Sequence, residues 1–317
     1  MNSSQLEKPV IAIVGPTASG KSSLAIEVAL RLGGEIINCD SVQVYREIQI
    51  ATAKVPLAER KGVPHHLIDY VPPTTNYTAV EWANDAVKKI EEIERRGRVA
   101  VFAGGTGLYL RALRRPFFPG PQTDESLRNR LNAIREKHGE TYLYRMLCRI
   151  DRPAAQKLNE RDWPRVQRAI EVFLQTRRSI INQREEQPAP HESMRRLRIF
   201  ALNPPRSELY ERINTRTEQH FALGLVDEVK LLLECGISPK SNALGAHGYR
   251  RVTEYLQGKR DLNSAIEQTR LNVRHYAKRQ LTWFRHEPDV EWFEGFGEEN
   301  HILEAVMQAI ESPRTGK

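Results

Sequence analysis

The chain has 317 residues, 40% of them hydrophobic and 28% charged, enough to bury a core that needs neither disulfides nor a structural metal. No apolar run reaches the roughly 18 residues of a membrane-spanning helix, the start MNSSQLEKPVIAIVG lacks the features of a secretory leader, and Cys39, Cys148 and Cys235 are too scattered for a disulfide framework or a metal knuckle, which suits a reducing cytoplasm. The balance of 48 basic against 40 acidic residues gives a net charge of +8, which points toward a polyanionic partner, nucleic acid before membrane.

Residues 10–14 (VIAIV) form a short apolar, β-branched run that leads through Gly15 into a helical pattern over 22–32. Gly33-Gly34 closes that helix, and a second strand is expected over 35–39, ending at Asp40. Residues 65–70 suggest a brief strand or loop edge, 78–96 an amphipathic helix, and 99–103 a third strand running into Gly104-Gly105. This alternation predicts an α/β fold with a parallel sheet. The texture changes at PFFPGPQ (116–122), beyond which 123–178 reads as helix throughout. Residues 114–184 hold 16 basic and 8 acidic side chains, and 242–286 hold 9 and 3. These are either polyanion-binding surfaces or solvated helical faces. A further core strand is expected over 198–202, with long helices from 206 to the end. The predicted organisation is an α/β core over 1–116, a basic all-helical insertion over 117–190, and completion of the core over 191–317.

Residues 15–22 read GPTASGKS, a match to G-x-x-x-x-G-K-[ST] between a strand and a helix. Such a loop curls its backbone N–H groups around an anion, at the positive end of the helix dipole. Lys21 adds a mobile cation, and the Ser22 hydroxyl can ligate Mg²⁺. The pattern establishes a di- or triphosphate site and leaves the identity of the phosphate open. The strand over 99–103 carries no carboxylate at its end, where an ATP-hydrolysing protein would place its Mg²⁺-holding Asp.

Ligands of open α/β sheets sit beyond the carboxyl ends of the strands, so the loops at Gly15, Asp40 and Gly104 can share one site. Asp40 suits a base or a metal ligand, and equally the cap of the following turn. Thr106 offers a hydroxyl, or caps a helix over 108–113. The stretch 270–285 (RLNVRHYAKRQLTWFR) places Arg274, Lys278 and Arg285 on nearby helix faces, interleaved with Tyr276, Trp283 and Phe284.

The ordered motifs GPTASGKS (15–22), DSVQVY (40–45), ATAK (51–54), HHLID (65–69), GGTGLYLRAL (104–113), RVQRAIEV (165–172), HGYRR (247–251) and AKRQLTWFR (277–285) closely resemble the bacterial tRNA dimethylallyltransferases. The resemblance implies a P-loop NTPase-like sheet with flanking helices and a basic helical insertion. It implies transfer of a dimethylallyl group from dimethylallyl diphosphate to N6 of the adenosine on the 3′ side of the anticodon. Gly15, Pro16, Thr17, Ala18, Ser19, Gly20, Lys21 and Ser22 would grip the donor diphosphate with Mg²⁺, Asp40 would be the general base, and Thr106 would contact substrate beside it. The tRNA contacts would be Asp40, Ser41, Val42, Gln43, Thr106, Arg128, Pro164, Arg165, Val166, Gln167, Arg168, Gly245, Ala246, His247, Gly248, Tyr249 and Arg250. Ala51, His247 and Arg251 depart from the residues usual in the family. A cytoplasmic monomer that binds the anticodon stem-loop and no membrane is expected. The alternative is a P-loop kinase acting on a nucleotide or small molecule.

Overall fold

The computed structural model describes residues 8–117, 120–184 and 187–312; Phe118 and Pro119 of the PFFPGPQ stretch and the first seven residues lie outside them. Val10–Val14 (β1) is buried at every position, as a strand covered on both faces must be. It leads into helix Lys21–Leu32 (α1), which Gly33 ends in the left-handed conformation (φ 59°). Gly34–Asn38 (β2) follows, then a two-residue strand His65–His66 (β3). Helix Ala79–Arg95 (α2) starts at a capping box, in which Thr78 accepts from Glu81 N and Glu81 accepts from Thr78 N. Val99–Ala103 (β4) then turns into helix Gly107–Arg114 (α3).

Five helices come next: Glu125–His138 (α4), Glu140–Ile150 (α5), Arg152–Lys157 (α6), Trp163–Thr176 (α7) and Ile180–Arg184 (α8). The chain returns to the sheet at Leu197–Leu202 (β5) and continues through helices Arg206–Ala222 (α9), Leu225–Glu234 (α10), His247–Leu256 (α11) and Leu262–Arg285 (α12). Strand Val290–Phe293 (β6) and helix Asn300–Glu311 (α13) complete it.

The described strands form one six-stranded sheet in the order β3-β2-β4-β1-β5-β6, parallel throughout. Sheet residues such as Ile11, Ile13, Val101 and Phe200 share one apolar core with α1 and α13. Parallel pairing brings every strand's carboxyl end to the same edge, and the loops after β1, β2 and β4 meet there. The expectation of helices alone beyond 206 is corrected by β6. That strand has four residues, all only partly buried, at the sheet's edge, so neither length nor alternation marks it.

The chain divides into two compact units, Met1–Arg114 with His191–Lys317, and Arg115–Pro190. The second is wholly helical among its described residues and packs Leu131, Leu143, Leu147, Val166 and Ile170 into its own core. No described helix is long and apolar enough to cross a membrane.

Candidate active site

The loop between β1 and α1 is shaped by two left-handed residues, Ala18 (φ 65°) and Gly20 (φ 80°). The buried Ser19 hydroxyl donates to Pro16 O (2.8 Å), closing the curve. Lys21 Nζ lies inside it and donates to Pro16 O (2.5 Å). Burial lowers the Lys21 amine to about 8; Asp40 and Glu298 pull it up, and Arg216 pushes it down. Thr17 is held twice. Its N–H donates to Gln280 Oε1 (2.8 Å), and its hydroxyl accepts from Arg216. Gln280 also donates from Nε2 to Gly105 O (2.9 Å), which ties the loop after β1 to the loop after β4. A Cβ at position 105 would sit 2.0 Å from Gln280 Nε2, so any larger residue there must push that buried amide aside.

A cavity of about 690 Å³ surrounds this loop; Lys21, Ser22, Asp40, Arg212, Arg216 and Glu298 face it. A neighbouring cavity of about 510 Å³ is bordered by Ser41, Thr106, His220, His247 and Tyr276. Asp40 and Arg216 stand in both. Asp40 Oδ1 accepts from Val42 N (2.9 Å) and Gln43 N (3.4 Å), while Oδ2 takes no hydrogen bond among the described residues. The two roles left open by the sequence are therefore combined. One oxygen caps the turn, and the other is free for chemistry.

Thr106 Oγ1 accepts from Ser41 N (3.0 Å) and lies 3.4 Å from Ser41 Oγ, and it lines the second cavity together with Tyr276. Burial, reinforced by the Asp40 charge, pushes the Tyr276 phenol up, so it stays a protonated donor. Burial lowers His220 to about 4, helped by Arg216. It lowers His247 to about 4 as well, helped by Arg279, Arg251 and Arg250. Both rings are neutral at pH 7. Arg216 is itself lowered by burial and raised by Asp40.

The remaining residues expected in the site fall into three groups. Val42, Gly245, Ala246 and Gly248 line the second cavity with Ser41 and His247. Gln43 instead braces the following loop, donating to Thr52 O (3.0 Å) and Ala53 O (3.3 Å). Tyr249 is fully buried and donates to Glu228 Oε1 (2.7 Å), while Arg250 is exposed beside Glu254. Lys54 of the ATAK motif is a brace too. It donates to Tyr45 O (2.7 Å) and Ile48 O (2.6 Å) and pairs with Asp69 of HHLID. The third group lies in the helical unit. There Arg128 grips the buried Glu171 with two bonds (2.9 and 3.0 Å), and Arg168 reaches Glu171 (3.4 Å) and Pro121 O (2.7 Å). Val166 and Gln167 are buried, which leaves Pro164 and Arg165 on the surface.

Sequence reasoning missed Arg212, Arg216 and His220 of α9, Gln280 of α12, and Glu298. The α9 trio was legible as a four-residue repeat on one helix face. In the basic-aromatic stretch the functional contacts come from Tyr276, which lines the second cavity, and from Gln280; Arg274 bonds Asn214 Oδ1 (3.0 Å), and Phe284 is core.

A parallel sheet with a phosphate loop at its carboxyl edge, opening past one carboxylate into a second cavity, defines a P-loop protein that joins an acceptor to a phosphorylated donor. The chain belongs to the IPP transferase family, whose model matches residues 43–287. The match starts just past Asp40, so the loop rests on its own geometry. A tRNA dimethylallyltransferase of Solibacter usitatus is 44% identical over 95% of this chain and 98% of its own length. One from Koribacter versatilis is 45% identical over 96% and 98%. Among solved structures, a tRNA isopentenylpyrophosphate transferase of Bacillus halodurans superposes with TM-score 0.70 at 37% identity, covering 96% of this chain and 97% of that one. A eukaryotic dimethylallyltransferase described as acting on tRNA gives TM-score 0.77 at 29% identity, over 96% and 78%. Family membership replaces the kinase alternative.

Proposed function

We propose that this protein is a tRNA dimethylallyltransferase that moves the dimethylallyl group of dimethylallyl diphosphate to N6 of the adenosine 3′-adjacent to the anticodon. The observation that carries the reading is the position of Asp40, on the border between the phosphate cavity and the second cavity. The loop amides, Lys21 and Arg216 bind the diphosphate, and the target adenine leaves its stack to enter the second cavity. The exocyclic amine is a weak nucleophile because its lone pair is delocalised into the ring. As the new C–N bond forms and the allylic C–O bond breaks, Asp40 Oδ2 accepts the N6 proton. Negative charge growing on the leaving diphosphate is met by Lys21 and Arg216. Thr106 and the Tyr276 hydroxyl provide a donor pair beside Asp40 to orient the base.

The Ser22 hydroxyl faces the phosphate cavity. That suits Mg²⁺ held by one hydroxyl and the donor's phosphate oxygens, where it would neutralise the leaving group. The exposed basic residues of the helical unit, Arg165 foremost, contact the anticodon stem-loop. A cytoplasmic monomer completes the proposal.

The direct test is incubation with radiolabelled dimethylallyl diphosphate, unmodified tRNA and Mg²⁺. Label is expected in the RNA, in N6-modified adenosine. Absence of RNA label, with ATP-dependent phosphorylation of a small acceptor instead, would overturn the reading.

A further inference from the structure

The phosphate cavity has a wall that the loop motif does not contain. The turn between β6 and α13 docks onto the loop, where Gly297 N–H donates to Ser19 O (2.9 Å). Beside it, Glu298 lies so close to Gly20 that a Cβ at position 20 would sit 2.3 Å from Glu298 Oε2. Phe296 is buried, and the Arg212 guanidinium lies over its ring, 3.6 Å from the centroid. Arg212 Nη1 donates to Glu298 Oε2 (3.1 Å). Arg212 is one helical turn before Arg216, and both face the cavity with Lys21.

Three cations around one cavity repel each other unless an anion is present. Asp40 supplies part of that charge to Lys21 and Arg216, and Glu298 supplies it to Arg212 in the free protein, yet a carboxylate at Glu298 opposes a diphosphate. The Arg212–Glu298 pair is nearly half exposed on both sides (44% and 46%), so it is weak and readily exchanged. The Phe296 ring keeps the guanidinium plane in place whichever anion it holds. A planar fork of donors fits two phosphate oxygens as well as it fits a carboxylate.

We propose that Arg212 is a second guanidinium of the diphosphate site, carried on Phe296, and that Glu298 is its resident counter-ion, displaced when the donor's diphosphate binds. The inference rests on the reading that the loop holds the donor's diphosphate. The C-terminal turn is thereby part of the donor site, and Glu298 sets donor affinity by competing for Arg212.

The test is calorimetric titration of the full chain with inorganic pyrophosphate and Mg²⁺. Arg212→Gln is expected to weaken binding about tenfold, the loss of one charge-assisted contact. Glu298→Gln is expected to tighten it about threefold or more, because a charged competitor is removed. The gain from Glu298→Gln should be smaller in the Arg212→Gln background than in the wild type, since Arg212 is no longer there to be released. The donor KM should follow the same order while the tRNA KM stays constant. Wild-type affinity in Arg212→Gln, or weaker binding in Glu298→Gln, would overturn the proposal. Lys21→Ala separates the two levels. If it binds pyrophosphate like wild type, the donor-site reading fails and this inference with it; if it loses binding while the Arg212 and Glu298 variants do not change, this inference alone fails.

Discussion

Asp40 and Lys21 divide the chemistry between acceptor and leaving group. Asp40→Asn keeps the turn-capping oxygen and removes the proton acceptor. Turnover should fall on the order of 10²–10⁴-fold, with pyrophosphate affinity nearly unchanged; turnover within a few-fold of wild type would exclude Asp40 as the base. Lys21 has its amine lowered to about 8, so it is charged below that pH and loses its proton above it. Donor KM should therefore rise as pH passes about 8. Lys21→Arg should flatten that profile, because a guanidinium stays protonated throughout. A wild-type donor KM constant from pH 7 to pH 9 would show that the amine does not hold the diphosphate.

At the scale of elements, the site is a meeting of strand ends fixed by helix–loop clasps. Gln280 of α12 joins the loops after β1 and β4, and Gly105 leaves room for it. Gly105→Ala forces the buried amide aside and should cost about 1–3 kcal/mol of stability. Donor KM should rise with it, as Thr17 N loses its partner; urea unfolding and donor kinetics measure the two effects separately. The start of α2 is independent of the site, and its capping box predicts a different outcome. Thr78→Ala should lower stability by about 1 kcal/mol and leave the donor KM unchanged.

For the whole molecule, charge separates binding from architecture. Arg165 is exposed and, among the described residues, paired only with its neighbour Asp162 (3.3 Å), whereas Arg168 abuts the fully buried Glu171. Arg165→Glu should raise the tRNA KM, leave the donor KM alone, and lower the salt slope of tRNA binding by about one. Arg168→Glu sets a like charge against Glu171 and should instead lower the melting temperature of the protein. Equal effects of the two reversals on tRNA binding, without a stability change, would contradict this assignment.

The alternation of short apolar runs with helical patterns was enough to determine a parallel α/β sheet, because strands buried on both faces must be continuously apolar. The glycine-lysine loop determined a phosphate site for the same local reason; its geometry is set within eight residues. β6 was not legible, since a partly buried four-residue edge strand leaves no periodic trace. Nor could spacing show that one oxygen of Asp40 caps a turn while the other stays free, or that Arg128 and Arg168 are spent on Glu171. Only the tertiary structure could bring Arg216, Gln280 and Glu298 to a loop more than 190 residues before them in the chain. Their roles come from through-space charge and hydrogen bonding, which depend on distance in the fold and leave no local pattern in the sequence.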